Sequence, residues 1–154
     1  MSSTDVGSAA STEMAELSKI DMALEVVLLP VSDVDRAKRF YQSLGWRLDI
    51  DLVVSDEVRT VQITPPHSPC SIQFGKGGTT AAPGSAQGMI LVVNDIDAAR
   101  ADLVGRGVDV SEVAEQRPPG LDSPGRSYFA RASFSDPDGN GWVLQEITTR
   151  LPGR

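Results

Sequence analysis

The chain of 154 residues carries one cysteine and one histidine. Cys70 alone excludes an internal disulfide and any zinc site built from several cysteines. A single histidine, His67, placed in a proline-rich turn, leaves no serine, histidine and aspartate constellation to argue. No apolar run approaches the ~18 residues of a membrane span. Cations are in deficit, 14 Lys and Arg against 21 Asp and Glu for a net charge of −7. That balance disfavours nucleic acid and anionic membranes, whose phosphates require clustered cations. A neutral or cationic small molecule is the easier partner. Residues 1–21 hold no apolar stretch and carry acids where a secretory or transit peptide carries bases, so a disordered, solvated tail and a cytoplasmic protein are expected. At 40% apolar, the chain suffices for one compact core and is too short for two ordinary domains.

What is present is a repeat. Residues 24–45, "LEVVLLPVSDVDRAKRFYQSLG", overlay residues 86–107, "AQGMILVVNDIDAARADLVGRG", at a constant offset of 62. Asp33 falls on Asp95, Asp35 on Asp97, Ala37 on Ala99 and Gly45 on Gly107. Each copy reads as an apolar strand, an aspartate able to cap a helix by accepting orphan backbone N–H groups, and a short amphipathic helix. Val34, Ala37, Phe40, Tyr41 and Leu44 make one apolar stripe; Ile96, Ala99, Leu103 and Val104 make the other. A glycine ends each helix, where a left-handed residue is cheapest.

Three strand-like runs follow each helix: "WRLDIDLVV", "VRTVQIT" and "CSIQF" in the first half, and "VDVSEV", "YFARASF" and "GWVLQEI" in the second. The turns "TPPHSP" and "SDPDGN" precede the last strand of each half. The spacing predicts an α+β fold of two βαβββ modules, about 22–75 and 88–150, joined by a flexible Gly, Ala and Ser linker over about 76–87.

The residues "LPVSDVDRAKRFYQSLGW", "VVNDIDAARADLVGRG" and "FSDPDGNGWVLQE" resemble the vicinal oxygen chelate superfamily, the glyoxalase, bleomycin-resistance and extradiol-dioxygenase fold group. The resemblance covers residues 23–148. It implies two modules whose eight strands curl into an incomplete barrel, and usually a homodimer. In metal-dependent members it implies four His or Glu/Gln ligands, on the first and last strand of each module. Carried to this chain, those positions are Val26, Gln73, Gly88 and Val143. Three of the four have no donor, so neither a metal nor another cofactor is expected. Glu25 and Glu146 lie an odd number of residues away, and alternation turns them to the opposite face.

Alternation instead sets Val26, Leu28, Ile90, Val143 and Gln145 around an apolar trough with two amides, Gln73 and Gln145. Apolar walls with a few placed polar groups suit a small-molecule pocket. His67 and Arg131 are rim candidates, and Trp46, Trp142, Tyr128 and Phe129 offer flat surfaces for an aromatic ligand. Arg117 and Arg126 sit in the 13-residue loop "EQRPPGLDSPGRS", long enough for a lid. The reading favoured is a binder of a small, partly apolar or aromatic molecule. An alternative is a metal-independent isomerase, epimerase or lyase using His67, a glutamate or an arginine at the cavity mouth. A weaker alternative is an atypical metal-dependent lyase or dioxygenase that recruits Gln73, His67 and a carboxylate. "DPDGNG" mimics a calcium loop through Asp136, Asp138, Asn140 and Gly141, but Ile147 stands where the bidentate glutamate is required.

Overall fold

The computed structural model describes residues 15–120 and 125–152. The expected disordered tail therefore falls, for residues 1–14, outside the described residues. Residues 15–25 run exposed, without helix or strand, into the first module.

Two four-stranded sheets, each backed by one helix, make up the fold. Module 1 comprises β1 (Val26–Leu28), α1 (Val34–Ser43), β2 (Arg47–Val53), β3 (Arg59–Thr64) and β4 (Ser71–Lys76), with strand order β1-β4-β3-β2. Module 2 repeats this as β5 (Met89–Val93), α2 (Ile96–Gly105), β6 (Ala114–Glu115), β7 (Ala130–Ser135) and β8 (Gly141–Glu146), in the order β5-β8-β7-β6. In both, the first strand pairs parallel with the last and the other pairings are antiparallel. The sheets stay separate and do not close into a barrel.

The helices begin where the sequence places them. Asp33 accepts from Arg36 N at 3.0 Å and Asp95 from Ala98 N at 3.0 Å. Asp35 and Asp97 in the first turns favour the positive end of the helix dipole. Gly45 (φ 84°) and Gly107 (φ 87°) end them in left-handed conformations that cost other residues about 1–2 kcal/mol. Val34, Ala37, Tyr41 and Leu44 are buried on α1, as are Ile96 and Leu103 on α2. Val104, expected in that stripe, is 46% exposed. It lies ~100° round the helix from Leu103, off the seam with the sheet.

Alternation on the strands decides the faces. Val61, Ile63, Ile72 and Phe74 in module 1, and Ala130, Ala132, Phe134, Trp142 and Leu144 in module 2, turn toward the helices and are buried. Each buried aliphatic or aromatic side chain contributes about 1.5–3 kcal/mol. The run 108–113 was expected to be a strand and is not; β6 is confined to residues 114–115. Val108 and Val110 do alternate into the core. However, the Arg100 guanidinium takes the carbonyls of Val110 and Ser111, and the Ser111 hydroxyl takes Ser133 N–H at 2.9 Å. Side chains thus occupy groups that a ladder would have paired.

The modules are locked by the turn between β7 and β8. Asp136, 5% exposed, accepts from Asp138 N (3.0 Å) and Asn140 N (2.9 Å) through one oxygen. Its other oxygen accepts from Asn140 Nδ2 (2.8 Å) and from the hydroxyl of Tyr41 on α1 (2.9 Å). Tyr41 in turn accepts from Trp142 Nε1 at 2.9 Å. Asn140 also donates to Pro30 O (2.8 Å) and accepts from Ala86 N (3.1 Å). Outside this knot, Asp138 receives Ser32 and Arg36 from the start of α1. The calcium-like acids of this turn are therefore committed to protein donors. The linker, expected to be flexible, is stitched down in its second half: Gly84 N bonds Pro30 O, Gln87 reaches Gly84 O and Gly139 O, and Gly141 N bonds Ala86 O.

Asp136→Ala leaves several buried donors without an acceptor and is expected to lower the unfolding free energy by about 3 kcal/mol or more in urea titration, while Tyr41→Phe costs about 1–2. Burial, and then the Asp136 charge, push the Tyr41 hydroxyl far above its ordinary value of 10.0. The folded state keeps a proton that the unfolded chain gives up, so Tyr41's contribution is complete below pH 10 and declines above it. Alkaline unfolding curves should flatten above that pH in Tyr41→Phe.

Candidate functional site

The sheet faces turned away from the helices carry seven of the eight residues expected around a pocket; His67 lies in the turn between β3 and β4. In module 1, pairing aligns Val26 with Ser71, and Leu28 with Gln73, Gln62 and Ile50 in one row. In module 2, Ile90, Val143 and Ser133 share a row, as do Val92, Gln145, Arg131 and Ala114. Cross-strand partners project on the same side, so these are two open faces. Four of their aliphatic members are strongly exposed, Leu28 46%, Ile50 44%, Ile90 49% and Val92 44%, while Val26 and Val143 are half-buried.

The expected single trough is divided among several cavities. Leu28 and Gln73 border a recess of about 30 Å³ with Thr60, Gly75 and Gly78. Ile90 borders one of about 270 Å³ between the modules, with Leu24, Val27, Ser71 and Met89. Val143 borders a third, of about 550 Å³, alongside Gly88, Ser133, Ser135 and Gly141. Val26, Gln145, His67 and Arg131 border none of these three. Gln145 is buried, and its amide is spent on Tyr128 O at 2.9 Å. His67 is exposed in its turn, with φ 60°. Arg131 is exposed on the module 2 face.

The aromatic surfaces are mostly unavailable. Trp46 (7% exposed) and Trp142 (4%) pack edge to face in the core, centroids 5.2 Å apart. Phe129 is buried beneath Arg117, 4.7 Å from its ring centre. The loop arginines are engaged: Arg126 pairs with Asp97 at 2.8 Å and Glu115 at 3.3 Å, and Arg117 faces Glu115 at 3.8 Å. Residues 121–124 of that loop lie outside the described residues.

One polar group on the module 1 face escaped the sequence reading. Asp49 sits at a β2 bulge between Leu48 and Ile50. It accepts from Arg47 Nε at 2.6 Å, from the Thr64 hydroxyl, and from Gln62 Nε2 at 3.4 Å. Thr64 and Ser71 hydroxyls meet at 2.6 Å, and Gln73 Nε2 donates to Gln62 Oε1 at 2.9 Å. The Arg47 guanidinium beside Asp49, then the Thr64 hydroxyl, hold its carboxyl below the usual carboxylate range. The bulge was the hidden element: the extra residue shifts parity after Leu48, so Ile50, paired with Gln62, joins Asp49 on this face while Asp51, paired with Val61, turns to the helix side.

The four positions at which metal-dependent relatives would carry ligands hold Val26, Gly88, Val143 and only one donor, Gln73. Glu146 points to the helix side, accepting Ile96 N at 3.1 Å. Among the described residues, no three His, Cys, Asp or Glu side chains gather as a metal site would require. This donor set does not fit the metal.

A family model described as the Glyoxalase/Bleomycin resistance protein/Dioxygenase superfamily matches residues 23–144. The chain belongs to this superfamily. Among solved structures, this superfamily member is similar to TnmS3, an antibiotic binding protein from Streptomyces sp. CB03234, at 31% identity and TM-score 0.68, over 86% of this chain and 100% of the other. A glyoxalase/bleomycin resistance protein from the same Streptomyces strain gives 32% identity and TM-score 0.63, over 80% and 99%. A superfamily member from Sphaerobacter thermophilus DSM 20745 gives 29% and 0.65, over 82% and 98%. No match is found among curated proteins. No helix among the described residues is long and apolar enough to cross a membrane.

Because Asp49 is depressed, it contributes stability above its ordinary value of 3.8 that is lost as pH falls through and below it. In Asp49→Asn the acid limb of the unfolding curve should be shallower than in the parent, read by circular dichroism as the pH is lowered through and below 3.8.

Proposed function

We propose that the protein binds a small, partly apolar or aromatic molecule and carries out no metal chemistry. The observation that carries this reading is the replacement of a cation's donor shell by Val26, Val143 and Gly88, beside exposed Leu28, Ile50, Ile90 and Val92. An exposed apolar face loses hydration cost on meeting an apolar ligand, at roughly 25 cal/mol per Å² removed from water. The likeness to an antibiotic binding protein at 31% identity supports the same ligand class. Gln73 supplies orientation, and Arg131 a cation at the edge.

The two open faces of one chain lie in different modules, each too open to enclose a ligand, and the cavity of about 550 Å³ beside Val143 is lined by both polar and apolar groups. The reading is therefore of a homodimer, in which faces from two copies meet around the ligand, working in the cytoplasm. Size-exclusion chromatography with light scattering gives a mass near twice 16.4 kDa if this holds; a monomer at all concentrations speaks against it.

Isothermal titration against a panel of aromatic natural products and antibiotics tests the central claim. At least one compound should bind in the micromolar range or tighter, and Leu28→Lys or Ile90→Lys should weaken it by ten-fold or more, since a buried unpaired ammonium costs at least about 1.4 kcal/mol. No binding at millimolar ligand overturns the reading.

A further inference from the structure

The direction of every hydrogen bond on the module 1 face is set by one group that can only accept. Asp49 is an ionised carboxylate gripped by Arg47, so Thr64 must give it its single hydroxyl proton. Thr64 then has only lone pairs left for Ser71, and the 2.6 Å contact between them runs from Ser71 to Thr64. Ser71 has spent its proton, and its oxygen is left as an acceptor. The amides follow the same logic. Gln62 turns Nε2 toward Asp49, because the opposite flip would set a carbonyl oxygen against a carboxylate. Its Oε1 therefore receives Gln73 Nε2. Gln73 Oε1 accepts no hydrogen bond among the described residues.

Both relays start at Asp49, cross β3 and end on the same face of β4, at residues 71 and 73. Alternate residues of a strand stand about 7 Å apart. Apolar Val26 and Leu28 flank them on β1 by pairing. In module 2 the equivalent positions, 70 residues on, are Gly141 and Val143, which offer no side-chain acceptor.

We infer that Gln73 Oε1 and Ser71 Oγ are specificity-determining acceptors, and that this face selects ligands bearing a hydroxyl or protonated amine on an apolar body while rejecting carboxylates and ethers. The inference rests on the small-molecule reading above and names the chemistry that the same face recognises. Asp49 is a positioning residue: it touches no ligand and acts by fixing which way the relay points. Cooperative chains of this kind strengthen each link in a low-dielectric setting, and a buried acceptor left unmatched by an ether or carboxylate costs more than a made bond gains.

The test uses four naphthalene probes of nearly one shape: 1-naphthylmethylamine, 1-naphthalenemethanol, 1-(methoxymethyl)naphthalene and 1-naphthoate. Binding is followed by amide chemical-shift perturbation in the ¹⁵N-labelled full chain at pH 7. The ammonium and alcohol should bind about ten-fold tighter than the ether, with the carboxylate weakest. Gln73→Leu should remove most of that preference, weakening the ammonium and alcohol while the ether, no longer set against an unmatched acceptor, binds tighter. In Asp49→Asn the anchor itself becomes able to donate, so the relays reverse and the preference should shift toward the ether and carboxylate. A merely structural role for Asp49 weakens all four probes alike. Thermal melts confirm that each variant is folded, and if Asp49→Asn is not, Thr64→Val reads the hydroxyl branch alone. Equal binding of all four probes, with perturbations at residues 71 and 73, overturns the acceptor assignment and leaves the small-molecule reading standing. No perturbation on either open face at millimolar probe overturns both.

Discussion

The buried carboxylate of Asp136 is the constraint on which the two-module arrangement depends. A charge at 5% exposure is costly unless each lone-pair direction is filled. Here it is filled from both modules: backbone N–H groups of its own turn, the Asn140 amide, and the Tyr41 hydroxyl on the opposite module's helix. Tyr41 is itself wedged among Trp46, Phe74 and Trp142, with ring centres 5.2 to 6.0 Å away. Polar satisfaction and aromatic packing thus coincide at one point. Neither module can rotate against the other without exposing an unpaired charge and opening the aromatic cluster together.

That rigidity has a bearing on the open faces. With the helix sides joined into a single core, the outward faces hold fixed positions, and their chemistry is set locally by the strands. Module 1 brings a carboxylate-anchored set of hydroxyls and amides; module 2 brings an arginine and two serines on β7. The same duplicated backbone supports both because alternation separates the two jobs. Residues facing the helix maintain packing, and residues facing away are free to change without cost to the core.

Much of this was legible because it follows from period and offset. The 62-residue repeat, the aspartate caps and the glycine stops all come from local rules that tertiary context did not override. Three features were not legible, for distinct reasons. The strand expected over 108–113 has the correct alternation at Val108 and Val110, but Arg100 and Ser111 compete for its backbone, and side-chain competition leaves no mark on periodicity. The bulge that sets Ile50 beside Asp49 on the open face cannot be seen in an apolar pattern when β2 is an exposed edge with acids and aliphatics on both sides. The roles of Tyr41 and Asp136 need a contact across 95 positions; the turn motif announces a hairpin and says nothing of what it receives. The likeness to known relatives shows the fold and family, whereas the identity of a ligand depends on those few non-local polar contacts.

Gly84 carries one last consequence. At φ 81° a Cβ there would lie 2.1 Å from the Asp138 carbonyl oxygen, so the connector passes this point with no room for any other amino acid. Drift in its length is therefore tolerable only upstream, over the exposed stretch 77–83, where slack is entropically cheap. From residue 84 onward the chain behaves as a fixed strap, and descendants of this gene that gain or lose residues there would have to rebuild the joint between their halves.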